Sequence, residues 1–455
     1  MKYSMVFAAA AATMVQADCN NEGGNFFCKA VKALQYEGLD VAGKYKAVTS
    51  MGSDGSCNFA DVPFSGAIAP FDEDLSIHIR GPAQVEKIAV YTPKANSKRD
   101  APAPHTKRHG HKHLHKKFHE HSHEERGVGD KVEAVIDGQK VSWTNTWDGK
   151  SGGDKPAAAA SPAAAPAVKA ASTYVKSENP AAKADAPKVD SMLASSKIAA
   201  PKKADTSNVA AGDYARVAYY DAKSNQATGL TFTGNYGGSG SGVFDNTWGN
   251  SLSYLNEDGN GGAPSPTVLK NGMVPDGKEI AIFSDKACTD SGANCGFYRP
   301  GTVAYEGFKG ADKVFTFKVT MPKTGKTGFN LDMPAVWLLN GKIPRTGQYH
   351  DCSCWKSGCG EFDLIETLAS GDSKCKSTFH YTNSIGNSDY LQRPELGFVN
   401  YAVIFSKAHA SASIKILSDD FDHAAGLTSD QVEAMIVDDA KTPGGVSKMA
   451  IPVNV

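Results

Sequence analysis

Gly360-Glu361-Phe362-Asp363-Leu364-Ile365-Glu366 is the stretch on which the fold and the chemistry of this chain turn. Three carboxylates alternate with large apolar residues, as on a strand with one face in a core and the other in a cleft. A carboxylate facing a core is costly unless it is paired or hydrated, so the acids belong on the cleft side. On a regular strand Glu361 and Asp363 share a face, whereas Glu366, five residues after Glu361, points the other way. One extra residue in a β-bulge between Asp363 and Glu366 restores the phase and puts all three on one side.

Two carboxyl groups held about 5–5.5 Å apart across a glycosidic bond suit a retaining double displacement. In that reading Glu361 is the nucleophile and Glu366 the acid and base. Asp363 sits between them, bonding the nucleophile and helping, by like-charge repulsion, to keep a proton on the acid. An exposed acidic strand or a carboxylate site for a divalent ion is the plainer alternative.

Around the motif, Ala215–Tyr220, Val314–Val319 and Tyr401–Phe405 are β-type runs spaced by Gly, Asn and Pro, and helical periodicity is confined to the stretch near Thr428–Val437. Residues 208–455 are therefore expected to form a β-sandwich domain. The Ala, Pro, Lys and Ser composition of residues 150–207 is that of an unpacked linker. Residues 18–149 are expected to form a small cysteine-containing β module, with strands such as Leu75–Ile79 and Lys87–Tyr91 and a hairpin turning at Asp137-Gly138. A His- and Lys-rich insertion occupies residues 97–126, with eight His between His105 and His123. It has the composition of a solvated polybasic spacer, with metal binding as its other reading.

Residues 1–17 carry one Lys, an apolar run and a small-residue cleavage pattern, which reads as a secretory signal. Nine cysteines in an exported chain imply disulfides rather than metal ligands. Cys19, Cys28 and Cys57 lie early and the other six late, so each group is expected to close mostly within its own segment, with an odd thiol in the first. A net charge of −1 gives no electrostatic reason for nucleic acid or an anionic membrane as partner, and a neutral polymer fits better. No stretch after the signal is apolar for the roughly 20 residues of a membrane span, and the closing KMAIPVNV lacks the hydrophobic stretch of a lipid-anchor signal, so no anchor is expected. A soluble or wall-retained monomer that needs no cofactor and no metal is the expectation.

Met333-Pro334-Ala335-Val336-Trp337-Leu338-Leu339 lies about 25 residues before the acidic motif, and Thr378-Phe379-His380-Tyr381 about 14 after it. Order, spacing and residue type together resemble family 16 glycoside hydrolases, the laminarinase and lichenase group. That resemblance implies a jelly-roll sandwich with a sugar cleft on its concave face. By carry-over, Trp337 and Trp355 are candidate sugar-platform or cleft-wall residues and His380 a hydrogen-bond donor beside the acids.

A wider resemblance covers nearly the whole mature chain. Residues 64–93, FSGAIAPFDEDLSIHIRGPAQVEKIAVYTP, and IDGQKVSWTNTWDG further on are similar to fungal cell-wall proteins of the Tos1 type, described as probable circularly permuted β-1,3-glucanases. The resemblance implies a secreted wall enzyme that cleaves internal β-1,3-glucan bonds, and a rotated strand order that explains why only about 90 residues follow the motif. A transglycosylase on the same carboxylates and a non-catalytic glucan-binding wall protein are the competing readings. Cys352, Cys354 and Cys359 crowd the approach to Glu361 and are expected to pin a cleft loop.

Overall fold

The computed structural model describes residues 19–22, 24–94, 131–136, 139–144, 213–292, 295–382, 384–436 and 445–451. The signal, the His-rich tract, the linker and the Asp137-Gly138 turn lie outside the described residues. The chain divides into one unit of residues 1–101 and 196–455 and a second of residues 102–195. Of the second, an antiparallel hairpin of Lys131–Ile136 with Gln139–Thr144 is described, in the register expected for a turn at 137–138.

The first unit is a β-sandwich. Its principal strands, in chain order, are β1 (Ala33–Glu37), β2 (Leu75–Arg80), β3 (Ala83–Pro93), β4 (Tyr214–Asp221), β5 (Leu230–Gly234), β6 (Glu279–Ser284), β7 (Lys313–Thr320), β8 (Ala335–Asn340), β9 (Glu361–Glu366), β10 (Lys374–His380), β11 (Val399–Ser406), β12 (Ser411–Ile416) and β13 (Val446–Ala450). One sheet runs β4-β3-β7-β11-β12-β1-β13 and the other β5-β6-β2-β8-β9-β10, each extended at its edges by shorter strands. The pairings among these are antiparallel, except for the parallel β13–β1 pair. The helix of the described residues, α1 (Ser429–Met435), starts at a capping box in which Thr428 and Gln431 satisfy each other's free backbone groups.

Alternation explains how the two sheets close on each other. In β2, Leu75, Ile77 and Ile79 enter the core and Ser76, His78 and Arg80 take the opposite face. Phe362 of β9 stacks on Phe379 of β10 at 3.8 Å between ring centroids, and both meet the edge of Tyr36 from β1 in the other sheet. The Tyr36 hydroxyl, buried with these rings, donates to the Ser377 carbonyl at 2.9 Å, so its burial leaves no polar group unpaired.

Two expectations are corrected here. The segment before the linker does not fold apart from the segment after it: β2 lies between β6 and β8, and β3 lies between β4 and β7, so residues from both sides of the linker alternate within both sheets. Burial of Leu75–Arg80 on both faces is what a central strand requires, and a small free-standing module could not supply it. The cysteines likewise do not close within groups. Cys57 bonds Cys352, the other pairs are Cys19–Cys28, Cys288–Cys295 and Cys354–Cys359, and the remaining thiol is Cys375, buried in the core.

Candidate active site

The pairing of β9 with both neighbours decides where its acids point. Across β8, Glu361 faces Leu339, Asp363 faces Trp337 and Glu366 faces Ala335, and the register shifts by one residue between the second pair and the third. Across β10 the partners of Glu361, Asp363 and Glu366 are His380, Thr378 and Lys376. Partners on each side step by two, so all three acids project from the same face, and the extra residue of β9 falls between Asp363 and Glu366 where the bulge was expected. Gly360, just before the strand, has φ +120°, and a Cβ there would press on the Phe71 ring, so a glycine is needed to lead the chain into Glu361.

Each acid has its own donors. Glu361, 6% exposed, accepts from the Trp355 indole N–H at 2.5 Å on Oε2 and from the Tyr349 hydroxyl at 2.9 Å on Oε1. Asp363 Oδ2 lies 3.0 Å from His380 Nε2. Glu366 Oε1 accepts from Arg80 Nη2 at 3.1 Å, and Arg80, held by the Met333 carbonyl through Nε, also lies 3.8 Å from Glu279.

Electrostatics differ along the row. Burial first, and the Asp363 carboxylate second, push Glu361 from 4.5 up to about 8, opposed by the Trp355 donor, His380 and Tyr349. Asp363 is raised well above its usual value by burial and then by Glu366, with Arg80 opposing. A proton on Asp363 removes the second of the two causes that raise Glu361 and leaves the larger one, burial. Burial still holds the Glu361 proton up to about 8, and as that proton leaves both oxygens of the anion accept hydrogen bonds from Tyr349 and Trp355. Glu361, Asp363 and His380 bring one ligand-type atom each within 4.8 Å of one another. Because N–H and O–H donors already point at Glu361, the set is built as a hydrogen-bonded carboxyl cluster rather than as a cation cage.

Trp355 and Tyr349 come from the loop between β8 and β9, which two disulfides fasten: Cys354–Cys359 within the loop and Cys57–Cys352 to the hairpin of Gly43–Met51 and Cys57–Phe64. The loop and the hairpin also bond through Ser357 Oγ and the Lys46 amide at 2.9 Å. The Tyr349 and Trp355 rings meet edge to face at 5.3 Å, and Trp355 lies 6.1 Å from the His380 ring. Sequence reasoning thus picked residues that do cluster: Glu361, Asp363, Glu366, Trp355 and His380. It did not mark Tyr349, Arg80 or Glu279. The alternation of polar and apolar residues in Leu75–Arg80 was the available signal for Arg80, whereas Tyr349 sits in an irregular loop that carries none. Trp337 lies on the same face but is buried at 5% exposure, tilted against His78 at 5.4 Å, with its N–H donated to the Tyr349 oxygen at 2.9 Å. A ring so covered is no open sugar platform.

Profiles of the cell wall protein YJL171C/Tos1 family match this chain twice, the N-terminal one over residues 32–93 and the C-terminal one over residues 212–435. A protein of Arthroderma benhamiae named "Probable circularly permuted 1,3-beta-glucanase" is 42% identical across 97% of this chain and 98% of its own length. The chain belongs to the Tos1 cell wall protein family. Two further members, both named "Probable circularly permuted 1,3-beta-glucanase TOS1", are 37% identical in Candida albicans over 86% of this chain and 88% of that protein, and 36% identical in Saccharomyces cerevisiae over 92% and 93%. No solved structure matches. Within this Tos1-family chain the site draws on both matched segments, His78 and Arg80 from the first and the acids, Trp337, Trp355 and His380 from the second. Among the described residues no helix is long and apolar enough to cross a membrane.

Proposed function

We propose that this protein is a secreted cell-wall glycoside hydrolase that cleaves internal β-1,3-glucosidic bonds of glucan by a retaining double displacement. The single observation that carries the reading is the bulge in β9, which sets Glu361, Asp363 and Glu366 on one face with separate donors for each. The names of the relatives supply the polymer. Glu361, oriented by Tyr349 and Trp355, attacks the anomeric carbon as the bond to the leaving oxygen breaks, and Glu366 delivers the proton that oxygen needs. Water then replaces the leaving sugar. Glu366 takes its proton, the new C–O bond forms, and the Glu361–sugar bond breaks. Asp363 lies between the two and holds the third proton-binding position of the row.

Solvent-exposed side chains flank the carboxylates on both sides, where a glucan chain can lie. Glu279 and Glu366 on one side, Thr378 and His380 on the other, and Tyr349 and Trp355 of the loop all retain exposure. A chain lying there presents its internal bonds to Glu361 and Glu366. A reducing-end assay on laminarin, lichenan and chitin tests the proposal with wild type and Glu361→Gln. Laminarin cleavage that falls by orders of magnitude in the variant while glucan binding persists supports it. Equal activity in both proteins, or binding without turnover in the wild type, overturns it, and products longer than the input reveal transfer to sugar in place of water.

A further inference from the structure

The hydroxyl of Tyr349 occupies a position where hydrogen-bond chemistry leaves no choice of direction. An indole N–H can only donate, so Trp337 makes the Tyr349 oxygen an acceptor at 2.9 Å. The one proton of that hydroxyl is then free for the other neighbour, Glu361 Oε1, also at 2.9 Å, and no further partner of the hydroxyl is found among the described residues. Tyr349 keeps 37% of its surface exposed, but burial at the hydroxyl end, and then Glu361 itself, raise it well above its ordinary value, so the proton stays on the phenol and remains available to donate. Trp355 supplies the second oxygen in the same one-way manner. The outcome is a carboxylate fixed by two donors whose own directions are fixed.

We propose that Tyr349 is a positioning residue for Glu361, and that Trp337 acts through Tyr349 rather than by stacking on sugar. The proposal rests on Glu361 being the nucleophile. A nucleophilic carboxylate must be ionised and must present one oxygen to the anomeric carbon, and donors that bind the anion and not the acid serve both needs against the burial that opposes them. The ionisable groups around Glu361 are Asp363 on its own strand, His380 on β10, Glu279 on β6 facing Tyr349, and Tyr349 itself from the loop. Of these, Asp363 opposes the anion and His380 and Tyr349 favour it. Trp337, with its ring against His78 and its N–H on Tyr349, is placed to hold the phenol in line.

The test is the pH profile of kcat/KM on laminarin for Tyr349→Phe, Trp337→Phe and the double variant, with Trp337→Tyr as the milder second substitution at that position. Tyr349→Phe keeps the ring and removes one charge-assisted hydrogen bond, so kcat falls roughly 10- to 100-fold with little change in KM. The acid limb of the profile moves upward by about one pH unit, because losing a donor to the anion raises the acidity midpoint of the nucleophile. The Trp337 variants fall less, and the double variant matches Tyr349→Phe within about twofold, since Trp337 has nothing left to act on. An unmoved acid limb in Tyr349→Phe overturns the role of Tyr349. A KM rise in the Trp337 variants that adds in full to the Tyr349→Phe loss overturns the indirect role of Trp337. Wild-type turnover that Glu361→Gln does not reduce overturns instead the underlying assignment, and so separates the two failures.

Discussion

The sheet that carries the acids has two halves with opposite fates. Toward β5, the face positions Ser76, His78, Thr231, Thr233, Ala281 and Phe283 are buried, because a second layer lies on them: Leu252 and Tyr305 pack on Ala281 and Phe283, and the Arg345 guanidinium sits 4.5 Å over the Phe283 ring. Toward β10, Thr378 and His380 keep contact with solvent. Strand alternation is the same in both halves, so the face pattern alone does not make a cleft. The added layer does, by turning one half into core and leaving the other open. Glu361, Asp363 and Glu366 stand at the boundary. There desolvation is strong enough to raise Glu361, Asp363 and Glu279, although the side chains of Glu279 and Glu366 keep 31% and 23% exposure.

Substitutions in the two halves are expected to fail in different ways. Glu366→Gln, at the boundary with the open half, is expected to lower laminarin hydrolysis by roughly 10²–10⁴-fold while leaving the thermal midpoint near that of wild type. Phe283→Ala, in the filled half, is expected to cost about 3–5 kcal/mol in denaturant unfolding with near-normal activity per folded molecule. Loss of activity without loss of stability in Phe283→Ala would mean that the covered half is part of the sugar path.

Next in size is the tie between the cleft loop and the N-terminal hairpin. Cys57 and Cys352 are 295 residues apart, and their bond joins the hairpin to the loop that carries Tyr349 and Trp355. Cys352→Ser is expected to lower stability by about 2–4 kcal/mol. Activity should fall further than the folded fraction does, because Glu361 loses ordered donors. Activity that tracks the folded fraction alone would show the loop to be rigid without that bond.

What sequence could and could not show follows from the range of the forces involved. The bulge in β9 was legible because the spacing of Glu361, Asp363 and Glu366 conflicts with a period of two, and the conflict has a local remedy. Strands β8 and β10 were legible through the resemblance of Met333–Leu339 and Thr378–Tyr381 to the family 16 pattern. The partnership of His78 with Trp337, which puts an early strand in the middle of the late sheet, was not. Such a pairing is set by which edges remain to be covered once the other strands assemble, and no local pattern encodes it. The Cys57–Cys352 bond was illegible for the same reason, and with it the placement of Tyr349.

A smaller effect sharpens the electrostatic side of the boundary. A carboxyl whose folded-state value is raised contributes stability that is complete below its ordinary range and is lost as pH rises through the folded value. For Glu361 that window runs from 4.5 to about 8. Glu361→Gln has no proton to lose, so its stability is expected to gain on that of wild type by a few kcal/mol at most between those limits and to stay level above them. Part of the slope remains in the variant through Asp363, which is raised as well. Parallel stability curves for the two proteins from pH 4 to pH 9 would contradict the burial of Glu361 at the boundary.

The least effect is expected at the outer limit of the open half. His380 touches Asp363 at 3.0 Å but its side chain is 36% exposed, so water can take over much of what the imidazole does when it is removed. His380→Ala is therefore expected to reduce kcat by only about 3- to 10-fold, less than removal of a donor at the buried Glu361. Its stability should be near that of wild type, since a half-exposed hydrogen bond contributes about 1 kcal/mol or less. Steady-state kinetics beside a melting curve reads both quantities from one preparation. A loss as large as that of Glu366→Gln would place His380 in contact with the reacting sugar and extend the catalytic row onto β10, which would move the boundary between the two halves outward by one strand.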